Sequence, residues 1–502
     1  MPRFFNFASS TNRKSNRRRH SQGRRLRGIE SLERREMMTA VPGYSSLAGA
    51  PVTIYLDFDG HHEDQWGEVT HPEDPEALIW DNVNTPVFSL DGDQNFNSTE
   101  LDYIHKIWQT VAEDFSIFNV NVTTVAPPAS QLGNTIRICI GGGSDDWYKL
   151  DPPAGGISIM GSFKSQDHAN VAYVFSDEFL NARQIGDCAS QEIGHSLGLD
   201  HQRIWNTYTG DIVEEYNPGT LESAPIMGVP YSSQRGLWWY DPHAENGWTK
   251  QDDISQILNN NIGVVELRAD DHGGSFQTAT HVTNIHGAIH GIITQNGQGI
   301  GPASEANDRD AFNVTLPGTS VMKNWVVTVE VDGYSGNLDA KLQVYKYDGP
   351  AGKGGVYAKP PQLIGTFDSA SELGAFFNLG QGGSFMIVVS SHGDYGDLGK
   401  YTVRFNEMNR PLMNTNPISL PPIIDVICDP QSPVVLPGRT LGQPGLNSTQ
   451  LNLNTLSVNT KLSGNFATES PKITTASVKS TSPGFDALDE AFAQFNKKVN
   501  TF

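Results

Sequence analysis

Between Asp187 and His201 the chain reads DCASQEIGHSLGLDH, and no other stretch constrains the fold as tightly. Residues four apart on a helix share a face, so Gln191 and His195 fall together, with Glu192 beside them. Gly198 comes three residues after His195, where a helix can end on a left-handed residue at no steric cost, and a second imidazole arrives at His201. Two imidazoles and a carboxylate arranged in this way form a candidate metal site with a built-in base. The remaining ligand position holds Gln191, an amide. Protein zinc is bound by cysteine sulfur, histidine nitrogen and carboxylate oxygen, so Gln191 is expected to be a weak ligand or none.

With imidazole in place of Gln191, the segment would read H-E-x-x-H-x-x-G-x-x-H, and it resembles the zinc-binding helix of the metzincin peptidases. A second feature agrees: Ala224-Pro225-Ile226-Met227-Gly228 resembles the methionine turn of that family, and Met227 lies 26 positions beyond His201. Pro225 and Gly228 bracket it as turn formers. The segments YLDFDG, VAEDFSIFNVNVTT, GGISIMGSF and YVFSDEF look like those of secreted bacterial metzincin-like peptidases related to the reprolysin and matrixin groups. The resemblance implies an α+β zincin catalytic domain over residues 50–262, in which His195 and His201 hold zinc and Glu192 is the general base. Gln191 would fill the weak ligand slot, Met227 would underlie the metal, and a protein or peptide would be the substrate. It leaves two functions open. One is an exported zinc endopeptidase; the other is a surface or binding protein that keeps the peptidase fold after losing a ligand.

The periodicity suits such a domain. Val52–Phe58 reads as a strand stopped by Asp59-Gly60, and Ser98-Thr99-Glu100 reads as the capped start of a helix. Leu101, Ile104, Ile107, Trp108, Val111 and Phe115 then recur at helical spacing. Further strands are expected at Val120–Val125, Thr135–Ile140, Gly156–Phe163 and Val171–Phe175. Past the methionine turn, Trp238 and Trp239 are candidate pocket walls, while Trp248 reads as an ordinary partly buried tryptophan.

Charge separates the ends of the chain from its body. The formal net charge is −21, but residues 1–40 carry eleven Lys/Arg against three Glu, which leaves 24 basic and 53 acidic residues elsewhere. An acidic body of this kind repels nucleic acid and anionic lipid, so neither is an expected partner. Residues 1–45 read as a basic leader, and GIESLERREMMTA resembles a short bacterial export tag, which implies a secreted or cell-surface location. No stretch reaches the ~18–20 apolar residues of a membrane span. Three cysteines, Cys139, Cys188 and Cys428, are too few for a disulfide framework. A contact between Cys139 and Cys188 is conceivable, with two buried thiols the plainer reading; Cys188 as a substitute metal ligand would sit a full turn below the ligand pair.

From residue 266 to 407 short strands at turn-marked intervals replace helical periodicity: Asp310–Leu316, Trp325–Val331, Lys341–Tyr347, Phe385–Ser390 and Tyr401–Phe405. This is the pattern of an all-β sandwich. ADDHGGSFQTAT, DRDAFNVTL, GNLDAKLQVY and GDYGDLGKYTVRF resemble the bacterial pre-peptidase C-terminal domain. Asp308, Asp310 and Asp339 are candidate calcium ligands, with turn formation the alternative. Residues 408–482 have the composition of a disordered linker, and 483–502 that of a short amphipathic tail helix.

Overall fold

Alternation along Val52-Thr53-Ile54-Tyr55-Leu56-Asp57 sends Val52, Ile54 and Leu56 to one side of a strand and Tyr55 and Asp57 to the other, and both sides are buried. The structure, a computed structural model, describes residues 40–409 apart from 68–78, 151–152, 165–169, 207, 241–250, 295–307, 321–322, 333, 348–359, 369–373 and 394. Residues 1–39 of the leader, Trp248, all but the first two residues of the expected linker, and the tail helix lie outside these.

The first part of the chain builds a five-stranded sheet. In order come β1 (Val52–Asp57), β2 (His61–Gly67), β3 (Ile79–Thr85), α1 (Ser98–Asp114), β4 (Val120–Thr123), β5 (Thr135–Ile140), β6 (Gly156–Ile157), β7 (Val171–Val174) and α2 (Ala182–Ser196). The sheet order is β4-β1-β5-β7-β6, parallel except for β6, which runs antiparallel to β7 at the edge. Ile54, Leu56, Ile138 and Val174 share a core with Ile104, Ile107, Ile185 and Ile193 of the two helices. On the other face, the β2–β3 hairpin lays Trp66 and Val83 over Cys139 and Tyr173.

Three expectations need correcting. The cap of α1 is Asn97, not Ser98: its Oδ1 accepts from Thr99 N (2.8 Å) and Glu100 N (3.1 Å), while Glu100 Oε2 accepts from Asn97 N (2.8 Å). This is the reciprocal capping box, with Asn in place of Ser or Thr. The strand expected over Gly156–Phe163 shrinks to two residues, followed by a 3₁₀ turn at Ser162–Lys164. The hairpin β2–β3 was not anticipated, because His61-His62-Glu63-Asp64-Gln65 has little β propensity; its strands are held by pairing and by the cross-strand contact of Trp66 and Trp80, their rings tilted with centroids 5.7 Å apart. Packing on the body also starts inside the stretch assigned to the leader: Tyr44 stacks on Trp108 at 5.0 Å, and Ser45 Oγ donates to Asn121 Oδ1 at 2.9 Å.

After α2 come β8 (Ile204–Trp205), β9 (Ile212–Glu214), β10 (Ser223–Pro225), β11 (Arg235–Leu237) and α3 (Asp253–Asn260). Two facing sheets follow, built from β12 (Thr280–His281), β13 (Ile289–Ile293), β14 (Arg309–Leu316), β15 (Lys323–Glu330), β16 (Ala340–Tyr347), β17 (Gln362–Phe367), β18 (Ala375–Gly380), β19 (Gly383–Ser391) and β20 (Gly399–Asn409). One sheet is ordered β12-β14-β19-β16-β17, the other β13-β20-β15-β18. Phe312, Val344 and Ile387 of the first meet Trp325, Val327 and Val403 of the second in one apolar core. Overall the fold mixes α and β, with many strands and few helices.

Buried polar bonds cross from this sandwich to the first part. Asn337 Nδ2 donates to Asp114 Oδ1 (2.8 Å) and Arg235 Nη1 reaches Asp397 Oδ1 at 3.0 Å; within the first part, Ser190 Oγ donates to Asp114 Oδ2 (2.5 Å). Trp238 donates its indole N–H to Asp114 O (2.7 Å) and packs edge-on against Phe115 and Phe118. It is a core residue, and neither it nor Trp239 lines the cleft described next. No helix among the described residues is long and apolar enough to cross a membrane.

Candidate active site

Helix α2 positions the site because two glycines let it sit deep. A Cβ on Gly186 would come 2.7 Å from Thr110 Cβ, and one on Gly194 would come 2.4 Å from Met227 Sδ. The first glycine lets α1 and α2 approach closely, and the second seats the fully buried Met227 directly beneath the turn that carries His195. Asn181 caps the helix, its Oδ1 accepting from Gln184 N at 3.1 Å.

The end of α2 orients the first imidazole. Leu199 N donates to Gly194 O (2.9 Å) and Gly198 N to His195 O (2.8 Å), with Gly198 at φ +92°. This is a Schellman close. It turns the chain so that Leu199 O accepts from His195 Nδ1 at 2.8 Å, which leaves Nε2 as the ring's lone-pair nitrogen. α3 secures the turn: Gln256 Nε2 and Asn260 Nδ2 both donate to Gly198 O, at 2.7 and 3.1 Å.

His201 is oriented in a parallel way. Its Nδ1 lies 2.8 Å from Glu215 Oε1, and Arg203 Nε donates to the same oxygen at 2.8 Å. Arg203 also forks onto Asp200 at 2.7 and 3.0 Å. Ligating histidines typically present a fixed ring whose other nitrogen is held by a carbonyl or carboxylate, and both rings meet that description. Their centroids are 4.8 Å apart. Burial first, then the neighbouring His201, hold His195 far below the ordinary imidazole range, so it is neutral and able to ligate.

Gln191, Glu192, His195 and His201 share a cleft of about 230 Å³ with Gly156, Phe179 and Tyr231. Burial pushes the Glu192 carboxyl up to about 8. A Cβ on Gly156 would lie 2.7 Å from Glu192 Oε1, so only glycine there leaves room for this side chain. The Gln191 amide donates to Gly228 O at 3.4 Å, a long bond that leaves its carbonyl oxygen uncommitted to Gly228. Cys188 also lines the cleft, while Cys139 belongs to the core on the opposite face of the sheet; both are free thiols. The donor set fits a divalent cation held by two imidazoles and an amide oxygen, a weaker set than three imidazoles.

Glu215, Arg203 and Gly156 belong to the candidate site and were missed by the sequence reading. Glu215 lies fourteen residues from the histidine it orients, and no spacing rule links them. Among the described residues, three His, Cys, Asp or Glu donors converge within 4.8 Å at two other places, Asp57/His61/Cys139 and Asp270/Asp271/Asp310. Of the three expected calcium candidates, the second includes only Asp310. Asp310, whose Oδ1 is buried without a hydrogen-bond partner, gathers Asp270 and Asp271, while Asp308 accepts from Thr294 N at 2.7 Å. Asp339 sits instead among Asp397, Arg235 and His392.

No family model matches the chain, and no curated protein sequence matches it. Solved structures similar to parts of it include the pre-peptidase C-terminal domain of a collagenase from Bacillus anthracis, at 12% identity and a TM-score of 0.17, covering 27% of this chain and 100% of that one. Another is PliG of Aeromonas hydrophila, a periplasmic inhibitor of g-type lysozyme, at 13% identity and a TM-score of 0.16, covering 26% of this chain and 96% of that one. Likeness at these scores carries no argument about activity.

Proposed function

We propose that the chain is a metzincin-like zinc endopeptidase, exported from a bacterial cell, whose metal affinity is weakened by Gln191. The observation that carries this reading is the pair of buried imidazoles, each with its Nδ1 held by a carbonyl or carboxylate oxygen, in one cleft with Glu192. The Schellman turn at Gly198 and the methionine under Gly194 support the zincin assignment, as does a sheet whose one antiparallel strand lies at the edge.

His195 and His201 would hold the zinc, with Gln191 Oε1 as the third and weakest donor. Bound zinc lowers the pKa of its water and polarises the scissile carbonyl. Glu192 takes the proton from the attacking water and returns it to the leaving amine. Gly156 lies on edge strand β6 beside Glu192, so an extended peptide can pair along that edge within reach of the base. The sandwich reads as a pre-peptidase C-terminal-type appendage, with Asp270, Asp271 and Asp310 as a calcium site.

Gln191 itself favours a second reading, a binding protein on a peptidase scaffold. Zinc content and peptide hydrolysis of the full chain, of Gln191→His, and of Gln191→His/Glu192→Ala separate the two. The peptidase reading expects Gln191→His to raise zinc affinity and hydrolysis together, and the double variant to bind zinc without activity. Tight zinc binding by Gln191→His with no hydrolysis would overturn it in favour of the binding protein.

A further inference from the structure

The parallel strands align a second constellation on the sheet face away from α2. Register places Asp57 of β1 beside Cys139 of β5, and Cys139 beside Tyr173 of β7, so the three form one row across the sheet. His61 opens β2, four residues after Asp57, and its ring closes over the row. The donor atoms of Asp57, His61 and Cys139 lie within 4.8 Å of one another.

The hydrogen bonds show how these donors point. Arg137 Nη1 lies 2.8 Å from His61 Nδ1, and a guanidinium can only donate, so Nδ1 presents its lone pair. Nε2 then carries the proton and donates to Glu63 Oε1 at 3.1 Å. A carboxylate holding one ring nitrogen while the other is turned to a cation is the arrangement of ligating histidines. Asp57 Oδ1 accepts from Asp59 N (3.1 Å), and Oδ2 faces Arg137 Nε at 3.7 Å. Arg137 thus already supplies positive charge at the point where these donors meet. Its side chain retains 29% exposure, with the guanidinium over the Tyr55 ring at 5.4 Å. The Tyr173 hydroxyl, next in the row, is buried without a hydrogen-bond partner, so the centre of this face is polar beyond what its neighbours satisfy.

We propose that Asp57, His61 and Cys139 form a second metal site, for a zinc-class divalent ion, with Glu63 orienting His61. Carboxylate oxygen, imidazole nitrogen and cysteine sulfur are all zinc donors. Binding displaces Arg137 from His61 and releases one proton, that of the Cys139 thiol, to solvent. The ion joins β1, β5 and the β2–β3 hairpin, on the side of the sheet opposite the cleft.

Cobalt(II) titration of the chelator-stripped full chain tests this, because sulfur ligation gives a near-ultraviolet thiolate-to-cobalt charge-transfer band. The band is expected in the wild type and in His195→Ala/His201→Ala, where the cleft ligands are gone. It should survive Cys188→Ser and Cys428→Ser and vanish in Cys139→Ser. His61→Ala, which alters a partly exposed side chain, should weaken zinc binding at this site at least ~10-fold, and Glu63→Gln should weaken it while keeping the band. Calorimetry in two buffers should read about one proton released per ion. Absence of the band in the wild type at saturating cobalt, or its persistence in Cys139→Ser, would overturn the proposal.

Discussion

Replacing Glu215 by alanine tests the orientation of His201 without touching a ligand. The Glu215 side chain is 3% exposed and accepts from both His201 Nδ1 and Arg203. Its removal leaves a buried imidazole N–H unpaired, at a cost of ~1–3 kcal/mol. Arg203 loses one of its two carboxylates but keeps Asp200, bonded at 2.7 and 3.0 Å. The total should therefore fall toward the lower end of the ~3–5 kcal/mol typical of a broken buried pair. For a chain of this size that lowers Tm by about 3–5 °C. Glu215→Gln retains an acceptor for His201 and should lose roughly half as much. The pH dependence has a definite sign. Burial alone would raise the Glu215 carboxyl, but the bonds from His201 and Arg203 bring it below its ordinary 4.5. A depressed carboxylate contributes stability that is present above the unfolded pKa and lost as pH falls through the folded one. The gap in Tm between wild type and Glu215→Ala should therefore be full at pH 7 and close below about pH 4.5. Zinc affinity in the cleft should fall ~10–100-fold as His201 loses its fixed orientation. Thermal melts across pH, with a competing chelator for the metal, measure both. A Glu215→Ala protein that melts within ~1 °C of wild type at pH 7 would refute the reasoning, since 1 kcal/mol is about the least an orphaned buried donor costs.

Gly156→Ala would put a Cβ 2.7 Å from Glu192 Oε1. It should cut peptide hydrolysis by Gln191→His by up to ~100-fold through displacement of the base, while zinc affinity holds; unchanged hydrolysis would show that Glu192 tolerates the shift. Asp114 is held at about 8 by burial first and by Asp187 second. A carboxyl raised in the folded state costs stability progressively as pH rises from the unfolded toward the folded pKa. Asp114→Asn can still accept from Asn337 and face Ser190, so its Tm relative to wild type should rise steadily between pH 5 and about 8. A difference that does not vary with pH would contradict this.

What the chain determines locally was legible in it. A strand such as Thr135–Ile140, the helix through Asp114, and the sandwich strands from Arg309 onward follow from period-2 or period-3.6 apolar patterns that need no distant partner to be recognised. The geometry at His195 is also local: Gly198, three residues on, ends the helix and returns Leu199 O to the ring. Tertiary structure decided what depends on contacts across tens of residues. Only folding brings Glu215 to His201, Gly156 to Glu192 and Met227 beneath Gly194. Only strand register sets Asp57 beside Cys139, 82 positions away in sequence, and brings a polar hairpin segment over both. A side chain's role in such places is set by which lone pair or hydrogen its neighbour leaves it, and that neighbour is chosen by packing.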